Sequence, residues 1–233
     1  MNALKITHVL TSSLRRYFVC LFVLLGFFAC TISAFAYPRT DDDLIETTCG
    51  EQGSKYVLIA YDTIHGSTAE VAEYLGNELC DQGLRVDVLL AANADDISAY
   101  DAVIVGSALY GFSWLADAKQ FLRDNQATLS QLPTAYFVVG ASMYEDTPAN
   151  REAVKRAFVD PVINQYPNIT PLSVGTFGGA VNFDENKYNF IEKIVLRIVG
   201  LILGYRNNAD WRSWQAIENW GEDLAGILQA ERK

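Results

Sequence analysis

Tyr61-Asp62-Thr63-Ile64-His65-Gly66-Ser67-Thr68 is the stretch on which the fold turns. The apolar run Tyr56-Val57-Leu58-Ile59-Ala60 leads into it, and a helical pattern from Ala69 to Cys80 leads out. Such a run reads as a strand buried on both faces. Val71, Ala72, Leu75 and Leu79 then fall on one helical face. Strand, short hydroxyl- and glycine-bearing loop, helix is the layout of an anion site. The first N–H groups of a helix have no intrahelical partners, and the helix dipole adds partial positive charge there. The stretch reads as a phosphate-binding loop.

Its chemistry narrows the phosphate compound. A nucleotide-triphosphate loop needs GxxxxGK[ST], whose lysine meets the terminal phosphates. Here Ser67 follows Gly66 and no lysine is near; GxGxxG is also missing. Thr63, Ser67, Thr68 and successive N–H groups suit one terminal phosphate held by neutral hydrogen bonds.

Working outward, Arg85–Leu90 reads as a second strand and Ala102–Gly106 as a third, followed by the loop Ser107-Ala108-Leu109-Tyr110-Gly111-Phe112-Ser113-Trp114. A helix carries Leu115, Ala118, Phe121 and Leu122. A fourth strand, Ala135–Val139, ends in Gly140-Ala141-Ser142-Met143-Tyr144. Pro148 opens another helix, Leu172–Phe177 reads as the fifth strand, and a last helix runs from Asp210. Strands alternating with helices predict an α/β fold: an open, doubly wound, five-stranded parallel sheet with helices on both faces. Ligands of such sheets bind at the carboxyl ends of the strands, where the strand order reverses. The loops 61–68, 107–114 and 140–144 all lie there. Tyr110, Phe112 and Trp114 beside Gly111 suit a flat ring system, and monophosphate plus flat ring points to FMN.

These stretches carry a resemblance. Residues 61–72 resemble the phosphate loop of the flavodoxin family. Gly106-Ser107-Ala108-Leu109-Tyr110-Gly111 resembles the second flavin loop of one branch, the menaquinone-dependent protoporphyrinogen dehydrogenases. The likeness runs from about 55 to 230 and includes an apolar helix after the fifth strand. It implies that Thr63, Ile64, His65, Gly66, Ser67 and Thr68 hold the FMN phosphate. Ser107, Ala108, Leu109, Tyr110, Gly111 and Trp114 would flank the isoalloxazine, and Gly140, Ala141, Ser142 and Tyr144 would close its other edge. It implies protoporphyrinogen IX as donor and menaquinone as acceptor. The alternative is a non-catalytic carrier docking on redox proteins through an acidic face. Asp62 stands where serine or threonine is common, and a carboxylate beside a phosphate is unfavourable unless it faces away. Turned back, it could cap the loop. His65 is expected to face solvent.

The chain has 233 residues and a formal charge of −10. Residues 1–36 hold Lys5, Arg15 and Arg16 and no acid, so the rest carries 15 basic and 28 acidic residues, or −13. A domain this acidic is a poor partner for nucleic acid. Arg15-Arg16 precedes Tyr17–Ala36, 20 residues without a charge, and Ala34-Phe35-Ala36 fits a signal-peptidase site. Residues 1–36 read as a cleaved export signal or an uncleaved anchor, with the domain on the extracytoplasmic side, periplasmic in a bacterium. Arg15-Arg16-Tyr17-Phe18-Val19 also resembles the twin-arginine export pattern; a general secretory signal and a lipoprotein anchor at Cys30 are the other options. Residues 37–54 read as a linker and 55–230 as the domain. Cys49 and Cys80 could pair in an oxidising compartment, or Cys80 could simply be buried. His65 is the one histidine outside the leader, which argues against a zinc site and against a histidine-based catalytic triad. Tyr188 to Gly204 is strongly apolar: a helix packed on the sheet, or a surface for a membrane, a quinone or a tetrapyrrole.

Overall fold

A computed structural model describes residues 44–50, 54–183, 188, 190–203 and 208–230. The expected export segment 1–36, Gly204, and residues 37–43 and 51–53 of the expected linker lie outside the described residues. In chain order the first elements are β1 (Thr47–Cys49), β2 (Tyr56–Asp62), α1 (Ser67–Asp81), β3 (Arg85–Leu90), β4 (Ala102–Tyr110) and β5 (Ser113–Trp114). Then come α2 (Ala116–Asp124), α3 (Gln126–Leu129), β6 (Thr134–Gly140), a 3₁₀ turn (Ala141–Met143), α4 (Pro148–Val154), a π turn (Lys155–Val159) and α5 (Asp160–Ile163). The chain continues with β7 (Pro171–Gly178), β8 (Ala180–Val181), α6 (Phe190–Leu203), β9 (Ala209–Asp210) and α7 (Trp214–Ala230).

The main sheet runs β1-β3-β2-β4-β6-β7. Its five parallel strands, β3-β2-β4-β6-β7, have the chain order 2-1-3-4-5 of a doubly wound sheet. Successive β2 residues face opposite sides. Val57, Ile59 and Tyr61 pack with Leu75 and Leu79 of α1 and with Ile217 and Leu224 of α7. Leu58 and Ala60 pack with Ala118, Phe121 and Leu122 of α2. Both faces are covered, which explains why β2 and β6 are apolar without alternation.

Three sequence expectations change. The stretch 37–54 is not wholly a linker: β1 pairs antiparallel with β3, and Cys49 and Cys80 form a disulfide from that edge to the last turn of α1. A three-residue edge strand buries too little to announce itself in composition. The stretch 107–114 is not one open loop: β4 runs on to Tyr110, turns at Gly111 (φ 57) and Phe112 (φ 63), and returns as β5. Two consecutive positive φ values are what a tight two-residue hairpin requires. The last helix starts after Ser213 rather than at Asp210, because the Ser213 hydroxyl accepts from Ala216 N at 3.3 Å, an N-cap contact.

At the sheet end away from the loops, Asp87 is buried. Burial opposes its charge, but hydrogen bonds donated by Tyr56, Tyr100 and Thr48, with the nearby Arg85 cation, hold its carboxyl below the usual carboxylate range. A carboxylate with a depressed folded pKa adds stability above its unfolded pKa of about 4, and that stability is lost as pH falls through the lower folded value. Urea titrations at falling pH should therefore show a smaller acid-induced loss in Asp87→Asn than in the native chain. Equal slopes below pH ~4 would remove Asp87 from the acid response.

Candidate functional site

Register brings the three loops together. Asp62 pairs with Ser107 across β2–β4, Ala108 with Val139 across β4–β6, and Gly140 with Gly178 across β6–β7. The loops leave neighbouring strands at one edge, and the first two flank the point where strand order reverses.

The first loop is built as an anion cradle. Thr63 is buried, and its Oγ1 accepts from Gly66 N at 3.2 Å, folding 63–66 into a turn. Gly66 takes φ 87, which glycine adopts without steric cost. It is the N-cap of α1 and leaves the helix with no side-chain cap. The Thr68 hydroxyl, in the first turn, is fully buried and has no hydrogen-bond partner among the described residues. An unsatisfied buried hydroxyl beside an uncapped helix start is costly unless something accepts from it. Ile64, His65 and Ser67 are half-buried around the same turn.

The Asp62 carboxylate meets the start of α2. It is fully buried, and its Oδ2 accepts from Asp117 N at 2.9 Å and Ala118 N at 3.2 Å. The carboxylate caps α2, some 55 residues along the chain. Its charge is favourable at that helix start. Asp62→Ala should cost about 2 kcal/mol, the scale of a lost charged cap with buried donors left behind. Chemical denaturation measures it, and a loss under half that size would mean the cap is replaced by solvent.

In the second loop Ser107 is turned inward. Its Oγ accepts from Leu115 N at 2.9 Å and donates to Ala108 O at 2.9 Å, tying the hairpin to the start of α2. Trp114 is a core side chain: it is 2% exposed and packs edge-on against Tyr136 at 5.9 Å. Because β5 alternates, Ser113 takes the outer position and Trp114 the inner one. Ala108, Leu109 and Tyr110 are half-buried, and Gly111 and Phe112 form the exposed tip. In the third loop Gly140 is bare backbone against Leu109; a Cβ there would lie 2.9 Å from that side chain. Ala141 and Ser142 are half-buried, and Tyr144 stands exposed at the rim.

A family model described as a flavodoxin domain matches residues 58–210. The chain belongs to the flavodoxin family. Similar proteins include the protoporphyrinogen IX dehydrogenase [quinone] of Escherichia coli, 22% identical over 180 residues, covering 73% of this chain and 94% of the relative. Among solved structures, a flavodoxin from the domain Archaea is 17% identical (75% of this chain, 99% of that one, TM-score 0.41). A flavodoxin from Pseudomonas aeruginosa is 16% identical (75% and 99%, TM-score 0.45).

As a flavodoxin-family redox domain, this chain takes FMN, and its residues fit that cofactor. The buried Thr68 hydroxyl, the Thr63 hydroxyl and the free first-turn N–H groups suit the phosphate; Tyr110 and Leu109, half-buried on the hairpin, suit the side of a ring.

His65 departs from expectation. Its side chain is only 15% exposed: Nε2 lies 3.2 Å from Glu192 Oε1, and its ring packs on Tyr188 at 4.4 Å. Glu192 of α6 is buried and also accepts from the Tyr110 hydroxyl at 2.6 Å. Tyr188 and Glu192 are the flavodoxin-site neighbours that the chain order did not reveal. One signal was available: Glu192 is the one acid within α6, and a buried carboxylate needs partners.

Proposed function

We propose that this flavodoxin-family chain is an exported FMN oxidoreductase that works against an apolar phase and passes electrons from an organic reductant to a quinone. The observation that carries this reading is α6. It follows the fifth parallel strand, is held to the ring-side loop through Glu192–Tyr110, and leaves Phe190 (79%), Ile191, Ile194 and Leu201 (82%) exposed. A largely apolar face with a cation, Arg197, beside a redox site suits a lipid surface, a quinone or a tetrapyrrole better than a polar small molecule. The likeness to the quinone-dependent E. coli enzyme supports the same class, with protoporphyrinogen IX as donor and a quinone as acceptor.

FMN, when bound, supplies the one- and two-electron chemistry. This chain's own residues do the rest. Thr63, Gly66, Ser67 and Thr68 bind and orient the phosphate, Leu109, Tyr110 and Gly140 wall the ring, and α6 keeps water from that side. Export is supported by the Arg15-Arg16 leader and by the Cys49–Cys80 bridge, since disulfides persist in oxidising compartments.

The test is purification followed by anaerobic assay. Yellow protein that oxidises protoporphyrinogen IX and reduces a water-soluble naphthoquinone is the expected result. Colourless protein that ignores added FMN would sink the reading. The acidic charge favours a second one, a carrier docking through charge complementarity. Flavin that turns over only when a partner protein is added would select it.

A further inference from the structure

Glu192 ties together parts of the chain that are far apart in sequence. It is a buried carboxylate on α6, 127 residues from His65 and 82 from Tyr110. His65 belongs to the phosphate loop, and Tyr110 to the hairpin beside it. One oxygen, Oε1, serves both contacts: the Tyr110 hydroxyl donates to it at 2.6 Å and His65 Nε2 lies 3.2 Å away. Tyr188, just before α6, packs on the His65 ring and is itself buried. The outer side of α6 exposes Phe190, Ile191, Ile194 and Leu201 around Arg197. Through one carboxylate oxygen, Glu192 thus joins α6 to both loops.

Removing one partner of a buried hydrogen bond leaves the other unsatisfied, which costs more than the bond's net worth. A helix tied across two loops in this way has two states, seated and released. Anything that orders Tyr110 and His65 favours the seated state, and seating in turn favours whatever orders them.

Resting on the flavin reading of these loops, we propose that Glu192 is a positioning residue that clamps α6 across the phosphate loop and the ring-side hairpin. FMN affinity and the seating of α6 are then one linked equilibrium. Glu192 acts through Tyr110 and His65, not on the flavin.

The experiment has two readouts on the purified full chain. The first needs no flavin: the rate of tryptic cutting after exposed Arg197 on α6, with the cut after exposed Arg123 on α2 as an internal reference. Glu192→Leu and Tyr110→Phe should each speed cutting at Arg197 about tenfold and leave Arg123 unchanged. Glu192→Gln keeps an acceptor for the Tyr110 hydroxyl and should stay within about threefold of the native rate. The Tyr110→Phe/Glu192→Leu double variant should cut no faster than Glu192→Leu, because both remove one contact.

The second readout is FMN titration by flavin fluorescence. Glu192→Leu should weaken FMN about tenfold, and FMN should slow the Arg197 cut in the native chain but not in that variant. Three results would overturn the clamp: an unchanged Arg197 rate in Glu192→Leu, equal acceleration at Arg123, or fast cutting of Glu192→Gln. Faster cutting with unaltered FMN affinity would overturn the linkage. A chain that takes no FMN at all fails the flavin reading instead, and the cleavage pattern still judges the clamp.

Discussion

Replacing Cys49 and Cys80 together by alanine is expected to lower the unfolding free energy by about 3–4 kcal/mol. The bridge joins residues 31 apart in sequence. Loop-closure entropy for a loop of that length gives this figure in the chain-entropy account. The native state loses further support, because Cys49 anchors a strand of only three residues at the sheet edge. Thr48 of the same strand donates to Asp87 at 2.8 Å, and the Tyr61 hydroxyl contacts both Ile45 N and Ile45 O at 2.8 Å. Unpinned, that segment can fray from β3 and weaken these bonds too. For a chain of this size the loss corresponds to roughly 10 °C in melting temperature. Thermal melts of the oxidised native protein and the double variant measure it. A difference below ~1 kcal/mol would mean that the segment holds its place without the crosslink.

Gly66→Val should weaken FMN binding about a hundredfold. At φ 87 a side chain with a Cβ is strained by roughly 1–2 kcal/mol, and β-branching adds to that. The backbone can relieve the strain only by rotating out of the left-handed region. That rotation turns the 66–67 peptide, breaks the Thr63–Gly66 contact and re-aims the first donors of α1. Charged hydrogen bonds are each worth about 1.5–3 kcal/mol, so misplacing one or two reaches the predicted factor. Fluorescence titration gives the affinity, and a melt without FMN separates lost binding from lost folding. Binding within tenfold of native would show that the phosphate does not depend on this turn.

The two effects differ in how readable they were. Gly66 was legible because its role is local: a glycine between a buried strand and a helix start has few other uses. The bridge was not, because two cysteines leave pairing and simple burial equally open until β1 is seen beside β3. Asp62 shows the same contrast. From the chain alone its carboxylate looked like a threat to the phosphate. Its donors are Asp117 N and Ala118 N, brought close only by the β2–β4 pairing. Trp114, grouped with the ring-side residues on aromatic character, lies in the core because β5 doubles back and reverses its facing. His65 looked solvent-facing because nothing near it in sequence could hold it; Tyr188 and Glu192, more than 120 residues on, do so.

By its resemblance at residues 61–72 the sequence pointed to the flavodoxin family; by itself it determined the alternation of strands and helices and the five parallel strands. Those follow from periodicity and turn chemistry within about 20 residues, where backbone sterics and apolar spacing act directly. Only the tertiary structure decided which way Asp62, His65 and Trp114 point, that Cys49 meets Cys80, and that α6 lends Glu192 to the loops at the β2–β4 edge. Each of those depends on strand register and helix docking, which bring distant residues within hydrogen-bond reach, and no local pattern encodes such a meeting.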